Sequence, residues 1–193
     1  MIKKRSTKEM LQSSLLELLG KRPLQEITVK DISMNCGIST RTFYNNYSDR
    51  DSLVDAIYIS MSESCWFEDG RLVPLRQYLR NWAECASGKY RSFFRHTFAY
   101  TGQNNIRRII HDKGVKDMKR MSENSGLDPA QIQEFSFYSS FFLYGLIGIF
   151  EEEILPCSSS KKIYDKILEY SDYFMPFQLK DLAEKMDRPY KKD

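Results

Sequence analysis

Apolar residues recur along this chain at intervals of three and four, the spacing of helices that bury one face. From Thr7, "TKEMLQSSLLELLGKRP" sets Met10, Leu11, Leu15, Leu18 and Leu19 on one stripe, and Gly20 and Pro23 stop it. Thr28 is the predicted N-cap of a second helix, "VKDISMNC", whose Val29, Ile32 and Cys36 face one way. After Gly37 and Ile38 the polar and aromatic stretch "STRTFYNNY" predicts another short helix, capped by Ser39. A longer helix is predicted over 49–67, and Pro74 punctuates the end of this region. Five further stretches have helical period: "LRQYLRNWAECAS", "KYRSFFRHTFAY", "NIRRIIHDKGVKDMKRMSEN", "PAQIQEFSFYSSFFLYGLIGIFEEEIL" and "SSKKIYDKILEYSDYFM". Gly, Pro or Ser clusters separate most of them. No stretch alternates cleanly at period two, so the expectation is an all-α fold.

Two short helices joined by a glycine predict a helix-turn-helix. The turn needs a positive φ after its first helix, which glycine adopts at no steric cost. Ser33, four residues before Gly37, supplies a small side chain where the helices cross, and Ile38, Phe43 and Tyr47 are the candidate packing residues. Ser39 as N-cap leaves the start of the second helix pointing outward, the end that meets base edges in such motifs. Arg41 has the fork for a guanine, Asn45 the amide for an adenine, and Thr40 and Thr42 the methyls that suit thymine.

Charge sharpens this picture once it is divided. Residues 1–50 carry nine Lys/Arg against five Asp/Glu, while the whole chain is only +3, so the remaining 143 residues come to −1. A basic N-terminal quarter on a near-neutral body is the charge distribution of a nucleic-acid-binding head, and Lys3, Lys4 and Arg5 suggest a basic arm. The four cysteines stand apart with no C-x-x-C pair, which points to a reducing, cytoplasmic home. The longest apolar run, Phe141 to Phe150, has ten residues where a membrane span needs about 20.

The segment "ITVKDISMNCGISTRTFYNNYSDRDSLVDAI" resembles the N-terminal domain of the TetR family, the regulators similar to the tetracycline repressor. The residues that carry the resemblance are Thr28-Val29, Ile32-Ser33, Gly37-Ile38-Ser39, Phe43-Tyr44, Tyr47, Asp49-Arg50 and Leu53, within a match running from Thr7 to Ile57. Ser33 replaces the usual alanine, Asn46 stands where histidine is frequent, and Arg50 replaces a lysine that touches phosphate. The resemblance implies a DNA-binding domain over 1–50, joined by helix 49–67 to a ligand-binding and dimerisation domain over 51–193. It places Thr28, Lys30, Ser39, Thr40, Arg41, Thr42, Tyr44, Asn45 and Arg50 at double-stranded DNA, a palindromic operator. It also implies a homodimer built by the last two long helices and a pocket for a small-molecule effector. "FYSSFFLYGLIGIFEEEIL" is similar to the penultimate helix of the dihydroxyacetone-kinase regulator group. Phe141, Gly145, Gly148 and Ile149 are its candidate dimer contacts, with an ordinary core helix as the other reading.

Tyr78, Trp82, Phe94, Phe98, His111, Tyr138 and Tyr144 are candidate pocket residues, with Gln103 as a further polar one. His96 and His111 lack the spacing of a metal site, and no P-loop, G-x-S-x-G or G-x-G-x-x-G signals a catalytic site or cofactor. Ser158 and Ser159 form S-x-x-K pairs with Lys161 and Lys162, which read as helix capping. Two functional readings follow. One is a repressor released by a small molecule; the alternative is an activator, or a DNA-binding regulator controlled by a protein partner.

Overall fold

The first helix begins where Ser6 and Glu9 cap each other: the Ser6 hydroxyl accepts from the Glu9 N–H at 3.2 Å, and Glu9 accepts from the Ser6 N–H at 2.7 Å. In this computed structural model, which describes residues 5–68, 71–100, 106–123, 126–157 and 159–174, that helix is α1, Thr7–Leu19. Lys3, Lys4, Gln103 and Ser158 lie outside the described residues. A single 3-10 turn, Leu24–Glu26, leads to α2, Val29–Asn35, then α3, Thr40–Tyr44, and α4, Arg50–Trp66. Next come α5, Leu75–Ser87; α6, Arg91–Phe98; α7, Ile106–Glu123; α8, Pro129–Ile149; and α9, Ser160–Phe174.

The buried stripe of α1 is Leu11, Ser14, Leu15, Leu18 and Leu19, so Ser14 takes a place where periodicity favoured Met10. The reason is polar: Ser14 Oγ donates to the Ile32 carbonyl at 2.7 Å and accepts from Asn35 Nδ2 at 3.1 Å, which ties α1 to α2. Asp49, expected as the start of the linking helix, is instead its N-cap and accepts from the Ser52 N–H at 2.7 Å.

Besides the 3-10 turn, two features among the described residues depart from uniform α-helix. Phe67–Glu68 (β1) and Arg71–Leu72 (β2) form a small antiparallel pair, with Phe67 opposite Leu72 and Glu68 opposite Arg71. The stretch expected as one helix to Leu155 winds as α8 only to Ile149 and continues as a π-helical segment, Phe150–Ile154. That wider segment buries Phe150 and Ile154 while leaving Glu152 and Glu153 exposed.

One hydrophobic core runs through the molecule from Leu11 in α1 to Ile167 in α9. α4 is shared by both regions, contacting α1 on one side and α5 and α7 on the other. α7 packs along α8, and α5 along α9. Gly114 makes the first of these approaches possible, since a Cβ there would lie 2.9 Å from the Leu143 methyls. No helix among the described residues is long and apolar enough to cross a membrane.

Candidate nucleic-acid interface and effector cavity

The helix-turn-helix is assembled by local chemistry. Thr28 caps α2: its hydroxyl accepts from the Asp31 N–H at 3.2 Å and donates to Asp31 Oδ2 at 2.7 Å. The Thr28 hydroxyl, then its backbone N–H and Arg22, hold the Asp31 carboxyl down at about 2. α2 ends in a Schellman turn, in which Gly37 at φ 69° donates to the Met34 carbonyl (3.2 Å) and Ile38 to the Ser33 carbonyl (2.9 Å). A Cβ on Gly37 would meet nothing within 4 Å, so glycine is required there by backbone conformation and not by crowding.

Ser39 then caps α3, accepting from the Thr42 N–H at 3.1 Å. Its Oγ also lies 2.9 Å from Thr42 Oγ1, which ties the Thr42 hydroxyl into the cap. Asn46 closes the other end, donating through Nδ2 to the Thr42 carbonyl at 2.8 Å. Only Phe43 of α3 is fully buried, and it packs edge-on to Tyr44 and tilted against Tyr47. Around this anchor Ser39, Thr40, Arg41, Tyr44 and Asn45 are all exposed, as are Thr28 and Lys30 at the start of α2. The two helices have seven and five residues, the second shorter than periodicity suggests because Asn45 already serves as its C-cap.

Arg50 stands differently from the phosphate contact expected of it. Its Nη1 donates to the Leu24 and Ile27 carbonyls at 2.8 and 3.0 Å, and its guanidinium lies over the Tyr100 ring. Asp51 is 3.5 Å from Nε, and the side chain is only 19% exposed.

A cavity lined almost wholly by apolar and aromatic side chains lies among α4, α5, α7 and α8. Tyr78, Trp82 and Phe98 line it, joined by Tyr58, Trp66 and Phe150. Phe94 is buried behind this wall, against Trp82 and Phe150. His111, Tyr138 and Tyr144 do not reach the cavity. Tyr144 is 64% exposed and stacks on the His111 ring, whose Nε2 lies 2.9 Å from Ser140 Oγ. Polarity comes instead from behind Trp66, which stacks on Tyr78 at 3.6 Å and donates from Nε1 to Asp117 Oδ2 at 2.8 Å. Lys113 Nζ reaches the other Asp117 oxygen at 2.5 Å. Burial pushes the Tyr58 and Tyr78 phenols up, so both stay neutral hydrogen-bonding groups. Trp66 is one of the aromatics that helical spacing offers as a pocket residue, whereas Tyr58 is not singled out by the sequence, although a spacing of eight sets it on the same face of α4.

Solved structures share this fold. The dihydroxyacetone kinase operon activator DhaS superposes with a TM-score of 0.61 at 16% identity, covering 87% of this chain and 96% of its own. A second structure, the TetR family repressor AlkX from Dietzia sp. strain DQ12-45-1b, superposes with a TM-score of 0.52 at 16% identity, covering 88% of this chain and 95% of its own. This chain has the TetR-family fold. No family model matches the sequence, and no curated protein matches it. The likeness to the TetR regulators is therefore carried by architecture and by the local motifs around Gly37. Among the described residues no group of His, Cys, Asp and Glu is placed to hold a metal ion.

Proposed function

We propose that this protein is a DNA-binding transcriptional regulator that reads a palindromic operator as a homodimer. The observation that carries the reading is the exposed polar face of α3, held outward by the Gly37 turn and the Ser39 cap. Thr40, Arg41 and Asn45 read or border bases, while Thr28, Lys30 and Tyr44 seat phosphates. Ser39 and Thr42 hold the start of α3 in shape for that contact.

Dimerisation is supported by α8, where Phe137, Phe141 and Tyr144 are 72%, 74% and 64% exposed at helical spacing. Gly145 and Gly148 share this exposed side, with open space where a Cβ would stand. Such a row is costly to leave in water and self-complementary across a twofold axis. The cavity suits a flat, largely apolar effector that releases the operator. Of the two solved structures, one is described as an activator and the other as a repressor, and a promoter fusion assigns the sign here.

Binding selection from random DNA tests the core of this reading. On the selected site, Arg41→Ala should cost about 1–3 kcal/mol and relax one position. Lys30→Ala should weaken binding alike on all sequences and flatten the salt slope by about one. An Arg41 variant that loses equal affinity on selected and random DNA removes its base-reading role.

A further inference from the structure

Two of the four thiols meet inside the fold. Cys65, in the last turn of α4, points its Sγ–H at Cys85 Sγ in α5, with 3.7 Å between the sulfurs. A disulfide holds its sulfurs about 2.05 Å apart, so closure asks the sulfurs to approach by about 1.6 Å. Asn81 Nδ2 donates to the Cys65 carbonyl at 3.0 Å and already fixes the two helices beside each other. Cys36 and Cys157 instead turn their thiols to backbone carbonyls, of Ile32 and Glu153 respectively.

We propose that Cys65 and Cys85 form a redox site at which a peroxide converts two thiols into a disulfide clamping α4 to α5. The partners are unequal. Cys65 is buried, whereas Cys85 is partly open to solvent. The hydrogen bond from Cys65 and, more weakly, Lys89 lower the Cys85 thiol, against the opposing pull of burial and Glu84. The same hydrogen bond, followed by burial, pushes Cys65 up. Cys85 is thus the attacking thiolate and Cys65 the resolving thiol.

The chemistry balances in two steps. Cys85 sulfur attacks one peroxide oxygen, the O–O bond breaks, and Cys85 becomes a sulfenic acid as hydroxide leaves. Cys65 sulfur then attacks Cys85 sulfur, the S–O bond breaks, and the departing hydroxide takes the Cys65 proton as water. The two thiols are oxidised, and hydrogen peroxide is reduced to two waters, counting the proton first released from Cys85. A thiol reductant reverses the crosslink.

The place of the pair gives it consequence. Cys65 precedes Trp66, and Cys85 lies on the same helix as Tyr78 and Trp82, so the bond would join two walls of the cavity. α4 also carries the head through Arg50. Oxidation therefore acts on DNA binding through the helix that the effector would use, and this second step rests on the function proposed above.

The test uses the full chain carrying Cys36→Ser and Cys157→Ser, treated with equimolar hydrogen peroxide. Expected are a mass lower by two hydrogens, no titratable thiol, a peptide crosslink between residues 65 and 85, and recovery with dithiothreitol. Adding Cys85→Ser should leave Cys65 reduced and uncrosslinked. Thiols that persist, that end as sulfinate, or that pair only between molecules overturn the site. On the selected operator, crosslinking should change affinity by about fivefold or more, reversibly, and not in the Cys85→Ser protein. Unchanged affinity with the crosslink formed overturns the control of DNA binding. Failure of the reduced protein to select any DNA counts against the proposed function alone, since mass and thiol titration read the pair without DNA.

Discussion

Arg50 gives its Nη1 protons to two backbone carbonyls in the turn before α2 and covers the Tyr100 ring. Hydrogen bonds from a charged donor contribute about 1.5–3 kcal/mol each where they are shielded. Arg50→Gln should therefore lower stability by about 2 kcal/mol in denaturant unfolding and leave the salt dependence of operator binding unchanged. A slope flattened by about one with stability intact would return Arg50 to the phosphate backbone. Ser33 shows the reverse case. It is 1% exposed, and its hydroxyl has no partner. Ser33→Ala should stabilise the head by about 1 kcal/mol, because a desolvated hydroxyl with no partner is removed and little volume is lost. A fall in Tm would mean that the oxygen has a bonding role, through water, that the Ala variant destroys.

At the scale of elements, what could be read from the sequence was whatever local chemistry dictates. Thr28, Gly37 and Ser39 announce a cap, a turn and a second cap because each satisfies or redirects its own neighbouring backbone. The placement of aromatics on α7 and α8 was not legible in the same way. Whether Tyr144 faces a cavity or water depends on how α8 rolls against α7, which Gly114 and Leu143 decide through a contact 29 residues apart in sequence. The β1–β2 pair was hidden because two residues per strand are too few to show a period. The open space over Gly148 makes α8 easy to test. A Cβ at Gly148 meets nothing within 4 Å in its own protomer, so a loss of association in Gly148→Glu points to a second copy. Sedimentation should shift from about twice 22.8 kDa toward a single chain, with helicity retained. An unchanged dimer would move the interface away from α8.

For the whole molecule, one continuous core of packed side chains runs from the cavity to the helix-turn-helix. An effector that raises Tm by binding the native state should lose affinity when operator is bound, by the same factor that it costs the operator. Reversing a 99:1 population needs about a 10⁴-fold preference, or about 5.5 kcal/mol. Calorimetric titration with and without operator measures that factor. Equal affinities would show that the cavity binds its ligand without governing DNA.

α4 is also a mechanical part. Its 17 residues make a rod about 25 Å long. One end is fastened to the head by Arg50, and the other is held to α7 by the Trp66–Asp117 bond. A swing of about 5° around the Trp66 end carries the Arg50 end through about 2 Å. Across the twofold axis of the proposed dimer, the separation of the two heads would then change by up to about 4 Å, set against half-sites about 34 Å apart. The gearing is unequal by construction. In the proposed dimer, a displacement at the indole too small to break its hydrogen bond would become, at the operator, a misfit larger than the bond itself.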